Sequence, residues 1–419
     1  MLLNGPGLPT PATRRLAAAI YCLAVLVRAT LTFGFGRYEI GRTEPVRIAI
    51  SLARHGTFAD PYLIPTGPTA HAAPFYPTLI APIYQVLGDT RRADMVRMGL
   101  SILTGSAEYA LLPYASAALG LGDTVGLAAG LAGAVLPLHH WSESQGDFES
   151  AWIALYLQLS VIFFARWMRA ARFSAAGGLR AGLWLGWGLL LAPNLLPVLG
   201  GLAAIAIAIS RPRIGLETIR WAVAFSVAAC VLLLPWTIRN HAAIGGWFLV
   251  RDNFGMELAS SNCDGARPDI VASRAVPAVN RRIPGVTEYA AAEVQRKGEL
   301  RFERDMKLEA MAWIRAHPAE FARLTVARCR NFWFPSTLPE PNRSLLWAIT
   351  LAAGCGLILA WRANRLAGTV LATVLATYPL VYYVIKNSLR YQHPIYWILL
   401  LLTAFLALRT IERARTILY

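Results

Sequence analysis

Long apolar runs alternate with short charged connections along most of this chain. A run of about 20 apolar residues can cross the hydrocarbon core of a bilayer. The pattern therefore predicts an all-α polytopic membrane protein with about ten transmembrane helices, two of which form a pair broken at Pro193-Asn194. The predicted spans are 15–33, 95–118, 123–139, 148–166, 181–192, 195–210, a seventh that ends near Trp236, 344–361, 366–385 and 392–409.

The composition excludes a soluble protein. Hydrophobic residues make up 56% of the chain and charged residues 15%, whereas about a quarter of a soluble domain is charged. The net charge of +16 could indicate a nucleic-acid partner, but positive residues also collect on the cytoplasmic loops of membrane proteins. We favour the second explanation and expect no nucleic-acid partner, because with a cytoplasmic amino terminus the main arginine clusters fall on the cytoplasmic side. These are Arg14, Arg15, Arg166, Arg169, Arg172, Arg180, Arg211, Arg213, Arg220, Arg362, Arg365, Arg409, Arg413 and Arg415.

The same orientation gathers the long polar segments on the extracytoplasmic side. These segments are 34–94, 139–147, 239–343 and 386–392. We therefore predict an amino-terminal transmembrane module (1–238), which contains the first outside loop, a helical extracytoplasmic cap (239–343) and a carboxy-terminal set of transmembrane helices (344–419). Within the cap we predict a loop at 254–285 and surface helices at 287–316 and 318–331.

The first outside loop, residues 34–94, contains two short amphipathic segments joined by a proline-rich turn. Pro45 suits the first turn of a helix, where its missing N–H has no intrahelical partner to lose. Glu44 would then lie at the helix entrance, where the helix dipole favours an anion. Gly56 is expected to end this helix. We predict that both segments lie along the membrane interface.

Glu44 is the candidate general base of this loop. A catalytic base must be held within reach of the proton that it removes. A residue at the start of a helix is held in place more firmly than one in a free loop. Glu39 lies nearer the first transmembrane helix and lacks that support. The alternative is that both residues are ordinary solvated acids.

The loop after the third predicted helix is also rich in polar residues. His139, His140, Glu143, Asp147 and Glu149 surround a tryptophan there. Their spacing matches no specific metal-ligand set, so we predict no metal site among them. Whether the protein uses a divalent metal stays open. Glu143 and Asp147 could instead bind sugar hydroxyls or an acceptor, or act only as surface and helix-capping groups.

Basic residues at two extracytoplasmic helix ends are candidates for binding phosphate. Arg239 and Asn240 follow the seventh span, and Lys386 and Arg390 precede the tenth. A guanidinium group suits bidentate phosphate contacts. The alternative is that these side chains snorkel to lipid headgroups.

Three further features leave alternatives open. His71 and Tyr76 of the first outside loop could line a site or be plain surface residues. Cys263 and Cys329 could form a disulfide if the cap is extracytoplasmic. No soluble-nucleotide or hydrolase motif stands in a supporting context, which points toward a lipid-linked substrate.

Several short motifs together resemble the integral-membrane glycosyltransferases of the GT-C type, particularly the bacterial family 39 relatives of protein O-mannosyltransferases and aminoarabinose transferases. The resemblance spans most of the chain. The first motif is the first-loop acid followed by Arg47-Ile48-Ala49, Ser51-Leu52-Ala53, Gly56 and Phe58. The second is Pro65-Thr66-Gly67-Pro68-Thr69-Ala70, which leads to Pro74-Phe75-Tyr76-Pro77. The other three are PWTIRN at 235–240, HPAEF at 317–321 with Phe332-Trp333, and Arg390-Tyr391-Gln392-His393-Pro394.

The resemblance implies a GT-C fold in the bacterial inner (cytoplasmic) membrane, with the active site on the extracytoplasmic side. It implies a polyprenyl-phosphate-linked sugar donor, a hydroxyl or amine acceptor and transfer with inversion. The family's first-loop acid is usually Asp, and Glu44 matches it by its spacing to the Ile-Ala pair. The family's second acid would fall at Glu143 or Asp147. Arg390, with Lys386 and Arg239, would stabilise the leaving phosphate.

The rival hypothesis is a polytopic lipid or glycan transporter or flippase without transferase activity. Such proteins are marked by intramembrane charges, inverted repeats and broken helices. The apolar runs are nearly free of central charge, and they show no clear repeat. Only the break at Pro193-Asn194 favours a transporter.

Overall fold

The computed structural model describes residues 8–170, 173–210 and 215–418, and helices dominate all three ranges. The part before the cap contains α1 (Pro11–Ala29), α2 (Glu44–His55), α3 (Phe75–Leu87), α4 (Arg91–Ala110), α5 (Leu112–Leu119), α6 (Asp123–Val135), α7 (His140–Ser144), α8 (Ser150–Ala170), α9 (Ala175–Leu191), α10 (Leu196–Ser210) and α11 (Leu216–Ile244). A π-helical turn, Thr30–Gly34, extends α1, and a 3₁₀ turn, Pro193–Leu195, precedes α10.

The cap, which we define from here on as residues 245–341, is also helical. It contains α12 (Phe254–Ser261), α13 (Ile270–Ser273), α14 (Pro277–Asn280), α15 (Glu288–Lys297), α16 (Glu299–Ala316) and α17 (Pro318–Trp333). The chain ends in α18 (Asn342–Ala363), α19 (Arg365–Thr377), α20 (Leu380–Val384) and α21 (Leu389–Leu418). The described ranges contain no strand, only isolated bridges between Ala59 and Pro68 and between Asp269 and Asn387.

Seven helical segments in the described ranges are long and apolar enough to cross a membrane, so the prediction of an all-α polytopic protein is confirmed. The other predicted spans correspond to α4 with α5, to α6 and to α9, which are shorter or more charged. The count of ten therefore stays a prediction. The seven segments are Pro11–Gly34, Ser150–Arg169, Pro193–Ser210, Leu216–Ile244, Asn342–Ala363, Arg365–Val384 and Leu389–Thr416.

Glycines bring α9 and α11 into close contact. A Cβ atom on Gly178 would lie 2.2 Å from the Trp221 carbonyl oxygen, and one on Gly182 would lie 2.1 Å from the Phe225 carbonyl oxygen. Small residues at four-residue spacing let two membrane helices approach backbone to backbone. The seventh span, predicted to end near Trp236, continues through Pro235 to Ile244.

The two predicted helices of the first outside loop are present as α2 and α3. Glu44 is the first residue of α2, and Gly56 ends α2 with φ 66° in the left-handed region. The apolar face of α2, which includes Val46 and Ala49, is buried against Tyr76 and Ile80 of α3. Mutual packing rather than lipid covers this face, and it fixes the direction in which the start of α2 points.

The cap is more helical than predicted. The segment predicted as a loop at 254–285 contains α12, α13 and α14, because its short apolar stretches pack under the longer cap helices. The single helix predicted at 287–316 is divided into α15 and α16 by Gly298, whose φ is +81°. Both cap cysteines are free thiols. Cys263 is buried in an apolar cluster with Val279 and Leu324.

Hydrogen bonds fasten the cap to the first outside loop and to the carboxy-terminal helices. The Glu299 carboxylate of α16 accepts hydrogen bonds from the Thr69 hydroxyl and from the Ala70 backbone N–H, the latter at 2.7 Å. The Ile270 N–H donates to the Asn387 carbonyl oxygen at 2.9 Å. These contacts hold the loop, the cap and the start of α21 around a common space.

Candidate functional site

A cavity of about 380 Å³ lies between the first outside loop, the cap and the transmembrane helices. One part of its wall is charged and the other is apolar or aromatic. The charged and imidazole side chains are Glu44, His71, Glu149, Arg251, Glu257 and Arg390. The apolar and aromatic part includes Ile153, Pro193, Tyr378, Val381, Tyr382 and Ile385.

Glu44 reaches this cavity from the first turn of α2. It is half-buried. No Lys, Arg or His within the described ranges forms an ion pair with it. The helix entrance supplies a favourable field for the carboxylate, and the cavity leaves space for a substrate group beside it. Its chain neighbour Pro45 lines the same cavity.

His71 lines the cavity as a neutral imidazole at neutral pH. Burial lowers its pKa to about 4, although the nearby Glu44 carboxylate acts in the opposite direction. One ring nitrogen, Nδ1, lies 3.0 Å from the Tyr62 hydroxyl oxygen. His71 is 5% exposed, so it is a buried hydrogen-bonding group of the wall rather than a surface residue.

Two arginines of the cavity wall have no carboxylate partner in the described ranges. The Arg390 guanidinium lies 3.5 Å from the centre of the Phe148 ring and donates a 2.8 Å hydrogen bond to the Tyr391 hydroxyl. Arg251 donates from Nε to the His71 carbonyl oxygen at 3.0 Å. Both side chains are held in place while their charges stay available to an anion, and guanidinium groups bind phosphate well.

Glu257, which is half-buried, and Lys386, which is buried, form an ion pair at one side of the cavity. Lys386 Nζ lies 3.4 Å from Glu257 Oε2 and also contacts the Ser260 hydroxyl. Burial would raise the pKa of Glu257, but the charges of Lys386 and the nearby basic groups outweigh it and lower that pKa. Glu257 lines the cavity and Lys386 stands behind it.

A smaller cavity of about 150 Å³ shares Phe148, Ser150 and Arg390 with the main one. Asp147 and the exposed Trp141 are on its wall. The Asp147 carboxylate accepts a 2.7 Å hydrogen bond from Arg97. Burial nevertheless raises the pKa of Asp147. Asp147 therefore lies next to Arg390 but is already partnered.

Three other candidates lie outside both cavities. Glu143 is fully buried and forms an ion pair with Arg28 at 2.7 Å. Tyr76 is buried, and its hydroxyl donates to the Gly146 carbonyl oxygen. Glu39 is exposed, and its backbone N–H donates to the Gln145 side chain at 2.9 Å.

Arg239 and Asn240 hold the first outside loop and the start of the cap. Arg239 donates to the carbonyl oxygens of Thr69 and Phe58 at 2.6 and 2.7 Å. Asn240 is buried and donates to the Val250 carbonyl oxygen at 3.2 Å. Neither residue lines the main cavity.

Sequence reasoning did not select Arg251 or Glu257. Both belong to the stretch after α11 in which no regular pattern stood out, and Glu257 lies in a helix where a loop was predicted. Of the cavity acids that were not selected, only Glu149 was noticed in the sequence, as one of the acids around Trp141. Within the described ranges, no group of three or more His, Cys, Asp or Glu side chains is arranged to hold a metal ion.

Comparison with known proteins shows a likeness to solved structures only. No family model matches the chain, and no curated protein matches it. Among solved structures, the crystal structure of the Archaeoglobus fulgidus oligosaccharyltransferase in complex with zinc and sulfate is similar, with a TM-score of 0.49 and 14% sequence identity. The likeness covers 94% of this chain but 49% of that one, so this chain spans about half the length of the archaeal protein.

Proposed function

We propose that the chain is a glycosyltransferase that moves a sugar from a polyprenyl-phosphate donor to a hydroxyl or amine acceptor. One observation carries the proposal. A single cavity combines an unpaired carboxylate, Glu44, with two guanidinium groups that lack a carboxylate partner, Arg251 and Arg390, beside an apolar and aromatic wall. These are the groups that an acceptor, a phosphate and a lipid chain require.

Glu44 is the proposed general base. Its carboxylate takes the proton of the acceptor as the acceptor oxygen or nitrogen attacks the anomeric carbon. The bond from that carbon to the phosphate oxygen breaks in the same step, and attack opposite the leaving group inverts the anomeric centre. General-base assistance of this kind contributes about 10² to 10⁴ in rate.

Arg390 and Arg251 are the proposed partners of the leaving phosphate. Negative charge grows on the phosphate as the glycosidic bond breaks, and donors placed there in advance stabilise that charge. Lys386 acts indirectly, because its positive charge neutralises the Glu257 carboxylate on the cavity wall. Arg239 supports the site from behind by binding the carbonyl oxygen of Thr69. Asp147 and the small cavity would hold sugar hydroxyls.

The aromatic wall is the proposed groove for the prenyl chain. Helix α9 ends before the 3₁₀ turn Pro193–Leu195, and α19 ends before α20, so two interrupted helices border the cavity. The Asn194 side chain donates to the Tyr382 hydroxyl at 2.6 Å and links the two interruptions. A prenyl chain in this groove would place its phosphate near the charged side chains of the cavity wall.

The resemblance to family 39 supports placing the site on the extracytoplasmic side of a bacterial inner membrane. In that orientation the donor reaches the cavity laterally from the bilayer. A soluble nucleotide sugar in the cytoplasm could not reach it. We therefore expect no soluble cofactor in the transfer step.

The direct test is a donor assay on the purified protein in detergent or vesicles. Incubation with polyprenyl-phosphate sugars should release polyprenyl phosphate, and Glu44→Gln should abolish the release while insertion and thermal stability are kept. Turnover by that variant at the normal rate would remove Glu44 as the base. No transfer or hydrolysis with any donor, together with movement of the labelled lipid across the bilayer, would favour the transporter hypothesis, which the two interrupted helices also fit.

A further inference from the structure

The cap reaches the proposed base through a residue without a side chain. Gly285 lies in the turn between α14 and α15. A Cβ atom built on Gly285 would lie 2.7 Å from Glu44 Oε1, 3.5 Å from its Cδ and 3.9 Å from its Cγ. Real Cβ atoms do not approach another heavy atom to 2.7 Å. The Glu44 carboxylate therefore occupies the space that any other residue at position 285 would fill.

The turn that carries Gly285 is firmly held. Its backbone is closed by hydrogen bonds from the N–H groups of Val286 and Thr287 to the Ile283 carbonyl oxygen, at 2.9 and 3.1 Å. Ile283 packs against two apolar clusters of the cap. The preceding Arg282 pairs with Glu309 of α16.

The two sides of this contact differ in stiffness. The turn is packed and hydrogen-bonded, whereas the Glu44 carboxylate is the far end of a flexible side chain. A methyl group at position 285 would therefore displace the carboxylate and leave the turn and the fold intact. The contact sets the position of one group, and that group is the proposed base.

We propose that Gly285, in the turn at 281–287, is a positioning residue for Glu44. The inference rests on the proposed function. It adds that the cap takes part in catalysis by limiting where the carboxylate can lie. The residue size at position 285 then controls the rate of transfer, although Gly285 itself need not touch the donor.

The contact can be tested without any knowledge of the substrate. In the variant Glu44→Cys with Gly285→Cys, one sulfur replaces the Cγ that lies 3.9 Å from the other Cβ position. A disulfide requires this Sγ–Cβ separation to be about 3 Å, so a shift of about 1 Å brings the two sulfurs to bonding distance. Mild oxidation of the full-length protein in membranes should link positions 44 and 285, as detected by mass spectrometry of the linked peptides. The control is Glu44→Cys with Gly99→Cys, because nothing lies within 4 Å of a Cβ on Gly99. Absence of the 44–285 link, or an equal yield in the control, would overturn the proposal.

The catalytic consequence is tested by a double-mutant cycle in the donor assay. Gly285→Ala should lower kcat by about 10- to 100-fold with little change in the donor KM, because a displacement of about 1 Å costs a reacting group roughly that much. Gly99→Ala should change neither. In the Glu44→Asp background, whose shorter side chain avoids the methyl group, adding Gly285→Ala should lower kcat less than about threefold. Effects that simply multiply would overturn the positioning role.

The same cycle separates this inference from the proposed function. If Glu44→Gln is inactive and Gly285→Ala is fully active, Glu44 is retained as the base and the positioning role of Gly285 is rejected. If Glu44→Gln turns over normally, both the role of Glu44 as base and the positioning role of Gly285 are rejected. If no donor is turned over at all, the proposed function fails, and the cross-link alone then decides whether the turn contacts Glu44.

Discussion

The Nε atom of Arg28 lies 2.7 Å from Oε2 of Glu143, and neither side chain has any exposed surface. Tyr109 donates a further hydrogen bond to Glu143, and His393 lies 3.9 Å from it. Glu143, one of the two candidates for the second acid, is thus part of a buried polar group that joins α1, α4, α7 and α21 behind the cavity. Charge inside the helix bundle is more extensive than the apolar runs indicate.

Loss of Glu143 should destabilise the protein rather than change its chemistry. Removal of one partner from a buried ion pair costs about 3–5 kcal/mol, because the other charge is left unpaired. Glu143→Ala should therefore lower the thermal midpoint of the detergent-solubilised protein strongly. Glu217→Ala, which breaks the exposed pair with Arg220, should change it little. Equal midpoints for the two variants would contradict this structural role.

Glu44 and Glu39 should differ in their effect on transfer. Glu44→Gln is expected to lower turnover of a polyprenyl-phosphate sugar by at least about 100-fold, because the amide cannot accept the acceptor proton. Glu39→Gln, at an exposed position outside the cavity, should remain close to normal. The measurement is the initial rate of polyprenyl phosphate release at saturating donor. A larger loss in Glu39→Gln would reverse the assignment.

Arg390 should control the affinity for the phosphate of the lipid. Arg390→Ala is expected to weaken product inhibition by polyprenyl phosphate at least about tenfold, and Arg390→Lys should restore only part of it, because an ammonium group cannot form the bidentate contact. The matched control is Arg409→Ala on the same helix, whose side chain is exposed and paired with Glu412. Unchanged inhibition in Arg390→Ala would remove this residue from the phosphate site.

The contact between the cap and the first outside loop should depend on pH through Glu299. Burial raises the pKa of Glu299 to about 7, although the hydrogen bonds from Thr69 and Ala70 act in the opposite direction. A carboxyl group whose pKa is higher in the folded state binds more protons there than when unfolded. Its contribution to stability is therefore greatest below the unfolded value of about 4.5 and falls as the pH rises from about 4.5 to about 7.

Protection of the Thr69–Ala70 segment against hydrogen exchange should accordingly decrease over this pH range, after correction for the intrinsic exchange rate. Glu299→Gln keeps the shape of the side chain without its charge, so it should flatten the profile. The exposed Glu288 of the neighbouring α15 provides the control Glu288→Gln. A profile that keeps its slope in Glu299→Gln would assign the pH dependence to another group.

Local signals were sufficient to predict several parts of the site. Glu44 at the start of α2, the helix end at Gly56 and the helix beginning at Pro318 all follow from proline, glycine and helix-dipole preferences that act within one or two turns. The residues that face Glu44 could not be found in this way. Arg251 and Gly285 come from a cap segment that is more than 200 residues away along the chain, and no periodicity marks them.

The sequence by itself determined that the chain is a helical membrane protein, because the length of its apolar runs reflects the thickness of the bilayer. It also determined where α2 begins, because capping is local. Only the tertiary structure decided which polar residues share a cavity. Burial directs Glu143 to Arg28 and Arg239 to backbone carbonyl oxygens, whereas it leaves Glu44, Arg251 and Arg390 facing open space. Whether a charged side chain is already partnered depends on contacts between distant segments, which hydropathy and spacing do not encode.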